Sequence, residues 1–202
     1  MPSEGEGSGP DGRATVTWSG ASGEGTTIKD YVVRWDGGSK VVSGTSLDVT
    51  GLTNGKAYTF TVQARNRFEG GESKISDASN SVTPYTTPAA PQIKSSSSKC
   101  SDGTTCPVSF TITATGSDGG GGGKTLQYRT DGGSWKDASN APYTHKENLN
   151  SGKRMEMEAR VVNDKGLASS IVSTSETAEK WQSTPALDGD LNWGGQVPAG
   201  TE

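Results

Sequence analysis

Apolar and polar residues alternate along most of the chain after its first dozen positions, which is the period-two pattern of half-buried β-strands. The clearest case is the segment 58–64, where Tyr58, Phe60 and Val62 fall on one face. Turn-forming residues interrupt the alternation at roughly 8–12-residue intervals, and no segment follows the 3.6-residue period of a helix. The pattern predicts an all-β chain of short antiparallel strands packed as a sandwich.

The pattern occurs twice along the chain. Four residues of the first half recur 97 positions later, and the pairs are Tyr31 and Tyr128, Leu52 and Leu149, Tyr58 and Met155, Asn66 and Asn163. A constant offset of this kind is typical of internal duplication. Between the copies lie Pro84, Pro88 and Pro91, and closely spaced prolines favour an extended, semi-rigid connection. We therefore predict two copies of one domain in tandem.

The duplication divides the chain into five predicted parts. Residues 1–12 are a flexible leader, 13–83 the first domain, 84–91 the linker, 92–177 the second domain and 178–202 a flexible acidic tail. The net charge of the whole chain is −4 and its pI is about 5.1. Nucleic-acid-binding proteins carry a basic face, so this charge argues against such a partner. No apolar run is long enough to span a membrane. No apolar stretch follows Met1 as in a secretory signal, and this missing signal suggests a fragment of a longer protein.

The turn at residues 51–62, with the sequence GLTNGKAYTFTV, resembles a junction between two strands of bacterial fibronectin type III domains. The other residues that fit this family are Trp18, Tyr31, Val33 and the segment 80–84. The resemblance covers about residues 13–87 strongly and about 91–177 less closely. It implies two tandem immunoglobulin-like β-sandwiches, belonging to a cell-surface or secreted protein.

The two copies differ at the corner tyrosine of the sandwich. Tyr58 occupies this position in the first copy, and Met155 occupies it in the second. A corner tyrosine places its ring in the core and bonds backbone through its hydroxyl, whereas methionine fills the volume without that bond. We expect the second domain to be the less stable one unless Cys100 and Cys106 compensate.

Cys100 and Cys106 flank an Asp102-Gly103 turn signal, so they are placed to meet across a hairpin. A disulfide there is worth roughly 2–2.5 kcal/mol. A metal site requires four ligands, and His145 is the only histidine. Two buried free thiols are the remaining alternative. A structural disulfide is favoured, which places the protein in an oxidising, extracellular compartment.

The sequence contains no convincing catalytic, cofactor or metal site. His145 is expected on a strand edge as a solvated side chain, without the partners of a hydrolytic triad. The segment 118–125 nearly matches a phosphate-binding loop, but Asp118 replaces its first glycine and a strand succeeds it instead of a helix. We interpret this glycine run as a flexible connection. The segment 188–194 departs from a calcium loop and is interpreted as acidic tail.

In fibronectin type III domains the loop equivalent to residues 66–76 is a frequent contact site. Its candidate binding residues here are Arg67, Phe68, Glu69 and Lys74. Phe68 is a large apolar residue among polar ones, which suits a binding anchor. The alternative is that its ring folds back and caps the end of the sandwich.

The leading functional hypothesis is a monomeric, non-catalytic, extracellular protein-binding or adhesion module. A host protein is one conceivable ligand, and a soluble cytokine is another. Two alternatives remain open: a spacer within a secreted polysaccharide-degrading enzyme, or the extracellular sensor of a membrane receptor or kinase. No cofactor is expected for any of the three.

Overall fold

The computed structural model describes residues 11–22, 27–68, 70–100, 104–138 and 142–180. These residues form twelve β-strands and no helix. Residues 1–10 of the predicted leader and 181–202 of the predicted tail lie outside the described residues. Strands with period-two burial dominate the chain, as the alternation predicts.

The first sandwich consists of five strands in two antiparallel sheets. Its strands are β1 (Ala14–Thr17), β2 (Ile28–Trp35), β3 (Gly38–Val42), β4 (Ser46–Val49) and β5 (Phe60–Asn66). β1 pairs with β4 in one sheet, and the other sheet has the order β3-β2-β5. The inward side chains of both sheets form one hydrophobic core, in which Val33 and Phe60 are completely buried.

The corner tyrosine makes the predicted bond. Tyr58 is buried in the core, and its hydroxyl oxygen accepts a hydrogen bond from the Thr53 backbone N–H at 3.0 Å. The bond ties the turn before Tyr58 to the strand that comes after it.

A serine repeat closes the open edge of β5. Ser73, Ser76 and Ser79 lie three residues apart, and each pairs with one residue of β5. Each serine N–H donates to the carbonyl of its β5 partner, and each Oγ accepts the partner's N–H. The partners are Ala64 for Ser73, Val62 for Ser76 and Phe60 for Ser79. Both polar groups of the β5 backbone are thus satisfied by a segment that is not a regular strand.

Seven strands form the second sandwich, again in two antiparallel sheets. They are β6 (Gln92–Ser97), β7 (Thr105–Thr113), β8 (Lys124–Thr130), β9 (Lys136–Asp137), β10 (Tyr143–Asn150), β11 (Arg154–Asn163) and β12 (Val172–Thr177). The sheets have the orders β10-β7-β6 and β12-β11-β8-β9. Its core shares no residue with that of the first sandwich within the described chain. This confirms the predicted fold class, an all-β chain with two separate sandwiches.

Several residues assigned to connecting segments belong to the folded units. The Asp11 N–H donates to the Tyr85 carbonyl, and the Gly12 N–H donates to Asn54 Oδ1. A flexible leader is therefore wrong for these two residues, because the linker and a turn hold their backbone. Pro84 is fully buried, and Ala178 lies within the core of the second sandwich. The folded part thus extends to the first residue of the predicted tail.

Candidate functional site

The 66–76 loop starts where β5 ends and is held by its own backbone. Asn66 Oδ1 accepts the Phe68 N–H at 2.9 Å, and the Asn66 N–H donates to the Gly71 carbonyl at 2.8 Å. The Gly71 N–H in turn donates to the Phe68 carbonyl at 3.0 Å. Gly70 has a φ of +77°, a conformation that glycine adopts without steric cost. These bonds fix the tip of the loop and the position of Phe68.

Phe68 projects from this tip into solvent, with 68% of its surface exposed. The ring therefore does not cap the end of the sandwich. An aromatic side chain held on a fixed turn loses little conformational freedom when a partner covers it, which is favourable for a binding anchor. Glu69, the next candidate residue in the sequence, lies outside the described residues.

A cleft of about 330 Å³ lies beside Phe68. Its lining residues are Lys29, Arg65, Asn66, Arg67, Phe68, Gly70, Gly71 and Glu72. Two of the predicted binding residues, Arg67 and Phe68, thus lie on one concave surface together with residues of β2 and β5. The cleft combines one exposed aromatic ring with side chains of both charges.

Some charges in the cleft are already paired within the protein. Arg65 Nε lies 2.6 Å from Asp30 Oδ1 across the β2–β5 pair. This hydrogen bond holds the pKa of Asp30 below, and that of Arg65 above, their usual values. Glu72 accepts a hydrogen bond from Gln63 Nε2 at 3.3 Å.

The basic groups of Lys29 and Arg67 differ from Arg65. Within the described parts of the chain, neither side chain forms an ion pair. No carboxylate of the described residues lies within ion-pair distance of either cation. Both can therefore interact with an incoming acidic or carbonyl group.

Lys74 lines a different cleft. This second cleft has a volume of about 160 Å³ and is lined by Lys74, Trp18, Tyr31, Ser73 and Ser76, among others. Trp18 and Tyr31 pack edge to face there, with ring centroids 5.5 Å apart. The structure therefore brings Arg67 and Phe68 together and places Lys74 apart from them.

His145 is more enclosed than the sequence suggests. It lies on β10, at the edge of its sheet as predicted, but its side chain is only 19% exposed. Its ring lies 5.5 Å from that of Tyr128, and its Nε2 is 3.3 Å from Glu147 Oε2. The side chain is half-buried rather than fully solvated, because the ring of Tyr128, from the opposite sheet, lies against it. Among the described residues, no three His, Cys, Asp or Glu side chains are grouped to hold a metal ion.

Gly119 and Gly120 lie where the second sandwich meets the linker and the first sandwich. The Thr86 N–H of the linker donates to the Gly119 carbonyl at 2.8 Å. A Cβ on Gly120 would collide with the backbone nitrogen of Gly55 in the first sandwich. The interpretation as a flexible connection is corrected here, because glycine allows two backbones to approach each other.

The same loop shows why its likeness to a phosphate-binding loop is superficial. Lys124 Nζ donates to the carbonyls of Ala114 and Gly116, at 3.1 and 2.6 Å. The Gly123 N–H donates to Asp164 Oδ2 at 2.8 Å. The groups that would bind a phosphate are thus occupied by the protein itself. Strand β8 begins directly after the glycine run, as predicted.

Cys100 and Cys106 form a disulfide, as their spacing predicts. Cys106 lies within the core of the second sandwich, on β7 opposite Leu149 of β10. The bond joins this core strand to the segment that precedes it.

A comparison of the sequence with models of protein families agrees with this fold. The fibronectin type III domain model matches residues 6–79, which include the first sandwich up to the last serine of the repeat. The architecture is that of an immunoglobulin-like β-sandwich protein. Its first sandwich is similar to a fibronectin type III domain. No curated protein matches the chain.

Solved structures to which the chain is similar include two from chicken and one from a bacterium. The FN1-FN3 domains of chicken CNTN1 are 14% identical, with a TM-score of 0.42, and the similarity covers 89% of this chain and 65% of that one. This chain thus spans 65% of the length of that structure. The fibronectin(III)-like modules of Clostridium thermocellum CbhA are 18% identical (TM-score 0.36), covering 86% of this chain and 90% of theirs. The selenomethionine-substituted chicken interferon gamma receptor alpha chain is 11% identical (TM-score 0.35), covering 88% and 98% respectively.

In the described parts of the chain there is no helix with the length and apolar character needed to cross a membrane.

Proposed function

We propose that the chain is a non-catalytic, extracellular protein-binding module. It binds a protein ligand through the cleft beside Phe68 in the first sandwich. The second sandwich is a further domain of the fibronectin type III kind, and the two together display this cleft to the partner. A protein of a host organism is the class of ligand that suits a bacterial cell-surface or secreted protein of this type.

The exposure of Phe68 on a hydrogen-bonded turn carries the proposal. An exposed aromatic ring is costly to leave in water, and its burial against a partner releases about 25 cal/mol per Å² of apolar surface. Arg67 and Lys29 lie around the same cleft and supply charge for specificity.

The disulfide supports an extracellular location. Disulfides persist in oxidising compartments and are rare in the reducing cytoplasm. The bond between Cys100 and Cys106 is thus expected to remain intact outside the cell and to stabilise the second sandwich there.

Affinity capture with the full chain tests the binding function. The immobilised protein is exposed to secreted and surface proteins, and captured partners are identified by mass spectrometry. Phe68→Ala is expected to weaken a true partner by at least about 30-fold, because buried aromatic anchors contribute 2 kcal/mol or more. Arg67→Ala is expected to have a smaller effect of the same sign.

Ile171→Ala is the matched control. Ile171 is another exposed apolar residue, but it lies in the second sandwich. Its replacement should leave capture unchanged. If no partner is captured, or if Phe68→Ala binds as tightly as the original protein, the proposed binding function is wrong.

A spacer function is the second candidate, and the junction between the sandwiches favours it. The linker is bonded to the second sandwich at two points, Thr86 N–H to Gly119 O and Ala89 N–H to Ser117 O. A bonded linker holds two domains at a fixed distance, which is useful for separating other modules. A spacer should capture no partner when the immobilised chain is exposed to secreted and surface proteins.

A further inference from the structure

One peptide group of the linker is bonded to both sandwiches. The Tyr85 carbonyl accepts the Asp11 N–H at 3.1 Å, and the Thr86 N–H donates to the Gly119 carbonyl at 2.8 Å. This carbonyl and this N–H belong to the same peptide bond, whose atoms are held in one plane. No rotatable backbone bond therefore lies between this attachment to the first sandwich and this attachment to the second.

Asp11 is itself held to the first sandwich by a turn. Asn54 Nδ2 donates to Asp11 Oδ1 at 2.9 Å, and Asn54 Oδ1 accepts the Gly12 N–H at 2.9 Å. In the same turn, the Gly55 N–H donates to the Pro84 carbonyl at 2.9 Å. The first sandwich and the segment bound to it thus bond the linker at two successive carbonyl groups.

The second sandwich holds the linker directly after the shared peptide group. Asn163, which is buried at the end of β11, donates from Nδ2 to the Thr86 carbonyl at 3.1 Å. The same Nδ2 also donates to the Asp118 carbonyl at 3.2 Å, so this side chain joins the linker to the glycine loop. The Ala89 N–H then donates to the Ser117 carbonyl at 2.9 Å. These bonds fix the linker on the second sandwich.

The two sandwiches also meet directly, at one glycine on each side. A Cβ on Gly55 would lie 3.1 Å from the Gly120 Cα, and a Cβ on Gly120 would collide with the backbone of Asn54 and Gly55. Backbone therefore meets backbone, without flexible side chains that could absorb a movement. Domains joined in tandem usually move relative to each other unless a large apolar interface holds them. Here a shared peptide group and a backbone contact take the place of such an interface.

We propose that this junction is a lock, which holds the two sandwiches at one angle so that they move as a single rigid body. Rotation of one sandwich against the other has to break a bond of the peptide group between Tyr85 and Thr86, or push Gly120 into Gly55. The lock fixes orientation alone, because the two hydrophobic cores share no residue within the described chain. The inference goes beyond the proposed function and does not depend on the cleft beside Phe68. A partner that contacts both sandwiches finds them already oriented, which lowers the entropy cost of binding.

Residual dipolar couplings of the ¹⁵N-labelled full chain in a dilute aligning medium test the lock. Backbone N–H couplings of β2 and β5 report on the first sandwich, and those of β8 and β11 report on the second. One alignment tensor is expected to fit both sets with the strands oriented as in the structure. A fit that needs two tensors, different in magnitude or orientation, overturns the inference.

Gly120→Ala tests the contact between the two backbones. Gly120 has a φ of +76°, so an added Cβ strains the loop as well as colliding with the first sandwich. Gly122→Ala is the matched control, because Gly122 has a φ of +95° and its added Cβ would be nearest to the Asp164 side chain of the second sandwich. Gly120→Ala is expected to lose the common tensor, and Gly122→Ala is expected to keep it. Loss in both variants would assign the effect to strain within the loop, against the inference.

Asn54→Ala tests the other side of the junction and leaves the glycine loop unchanged. It removes both side-chain bonds that hold Asp11 and Gly12, so it is also expected to lose the common tensor. Unchanged amide chemical shifts in β5 and β11 show that both sandwiches of each variant are folded. If the common tensor survives in Gly120→Ala and in Asn54→Ala alike, these contacts do not hold the angle and the lock is wrong.

Discussion

The two sandwiches stabilise the same corner by different means. In the first, the Tyr58 hydroxyl accepts the Thr53 N–H, so a hydrogen bond joins the turn to the next strand. In the second, Met155 is buried at the equivalent position and offers no hydroxyl. The disulfide lies at this end of the second sandwich. Ser151, in the corresponding turn, donates its N–H to the carbonyl of Thr104, which lies two residues before Cys106.

This difference shows that one fold can use a covalent bond where its counterpart uses a partly buried hydrogen bond. The disulfide acts mainly on the unfolded chain, whose freedom it restricts. The tyrosine acts on the folded state, where it satisfies a backbone donor. The two sandwiches should therefore respond to different perturbations.

Removal of the disulfide has the largest expected effect. The double variant Cys100→Ala, Cys106→Ala is expected to lose about 2–2.5 kcal/mol in the second sandwich, from the entropy of so short a loop. The first sandwich should be unaffected, because its core is separate. Amide hydrogen exchange measures this directly, with core amides of β5 and β11 reporting on the two sandwiches.

Reduction of the unmodified protein is the matching chemical experiment. It should accelerate exchange in β11 and leave β5 unchanged. Equal effects in both sandwiches would show that they unfold as one unit, so that the disulfide would not distinguish the second sandwich from the first.

Removal of the corner hydroxyl should affect the first sandwich alone. Tyr58→Phe leaves the Thr53 N–H without its acceptor and is expected to lower the midpoint of thermal unfolding of the first sandwich by about 4–8 °C. Tyr85→Phe is the control, since the Tyr85 hydroxyl forms no hydrogen bond with described residues. A Tyr58→Phe variant as stable as the control would show that the corner bond contributes nothing.

Much of this contrast between the sandwiches can be predicted from the sequence, because it depends on local patterns. Alternation places Tyr58, Phe60 and Val62 in the core, and the constant offset identifies Met155 as the counterpart of Tyr58. The disulfide is predicted by two cysteines on either side of a turn. Each of these inferences needs only residues that are close in the chain or related by one offset.

Other features depend on contacts that no local pattern encodes. A glycine run shows that side chains are absent, but not that the Gly55 backbone approaches it. The repeat of Ser73, Ser76 and Ser79 has a period of three, which matches neither a strand nor a helix. Whether Phe68 is exposed or folded back depends on the space beyond the loop, so the sequence leaves both possibilities open.

Alkaline pH gives the most specific test, because it should change the stability of the two sandwiches in opposite directions. The Tyr143 O–H donates to the Tyr128 oxygen at 2.8 Å, and this bond, with partial burial, raises the pKa of Tyr143 to about 12. The second sandwich therefore holds this proton more tightly than the unfolded chain does. Its contribution is complete below about pH 10 and is lost as the pH rises to about 12.

Tyr58 has the opposite sign. Its hydroxyl accepts a hydrogen bond from Thr53, which favours the phenolate and lowers the pKa of Tyr58. The first sandwich is therefore expected to gain stability as the pH rises toward about 10. In a titration followed by tyrosinate absorbance, Tyr143→Phe should remove the last component, which has the highest pKa. Tyr58→Phe should remove the component with the lowest pKa. In Tyr128→Phe the last component should move back toward about pH 10, because Tyr143 then lacks its acceptor. If the last component stays near pH 12 in that variant, burial rather than the hydrogen bond raises the pKa of Tyr143.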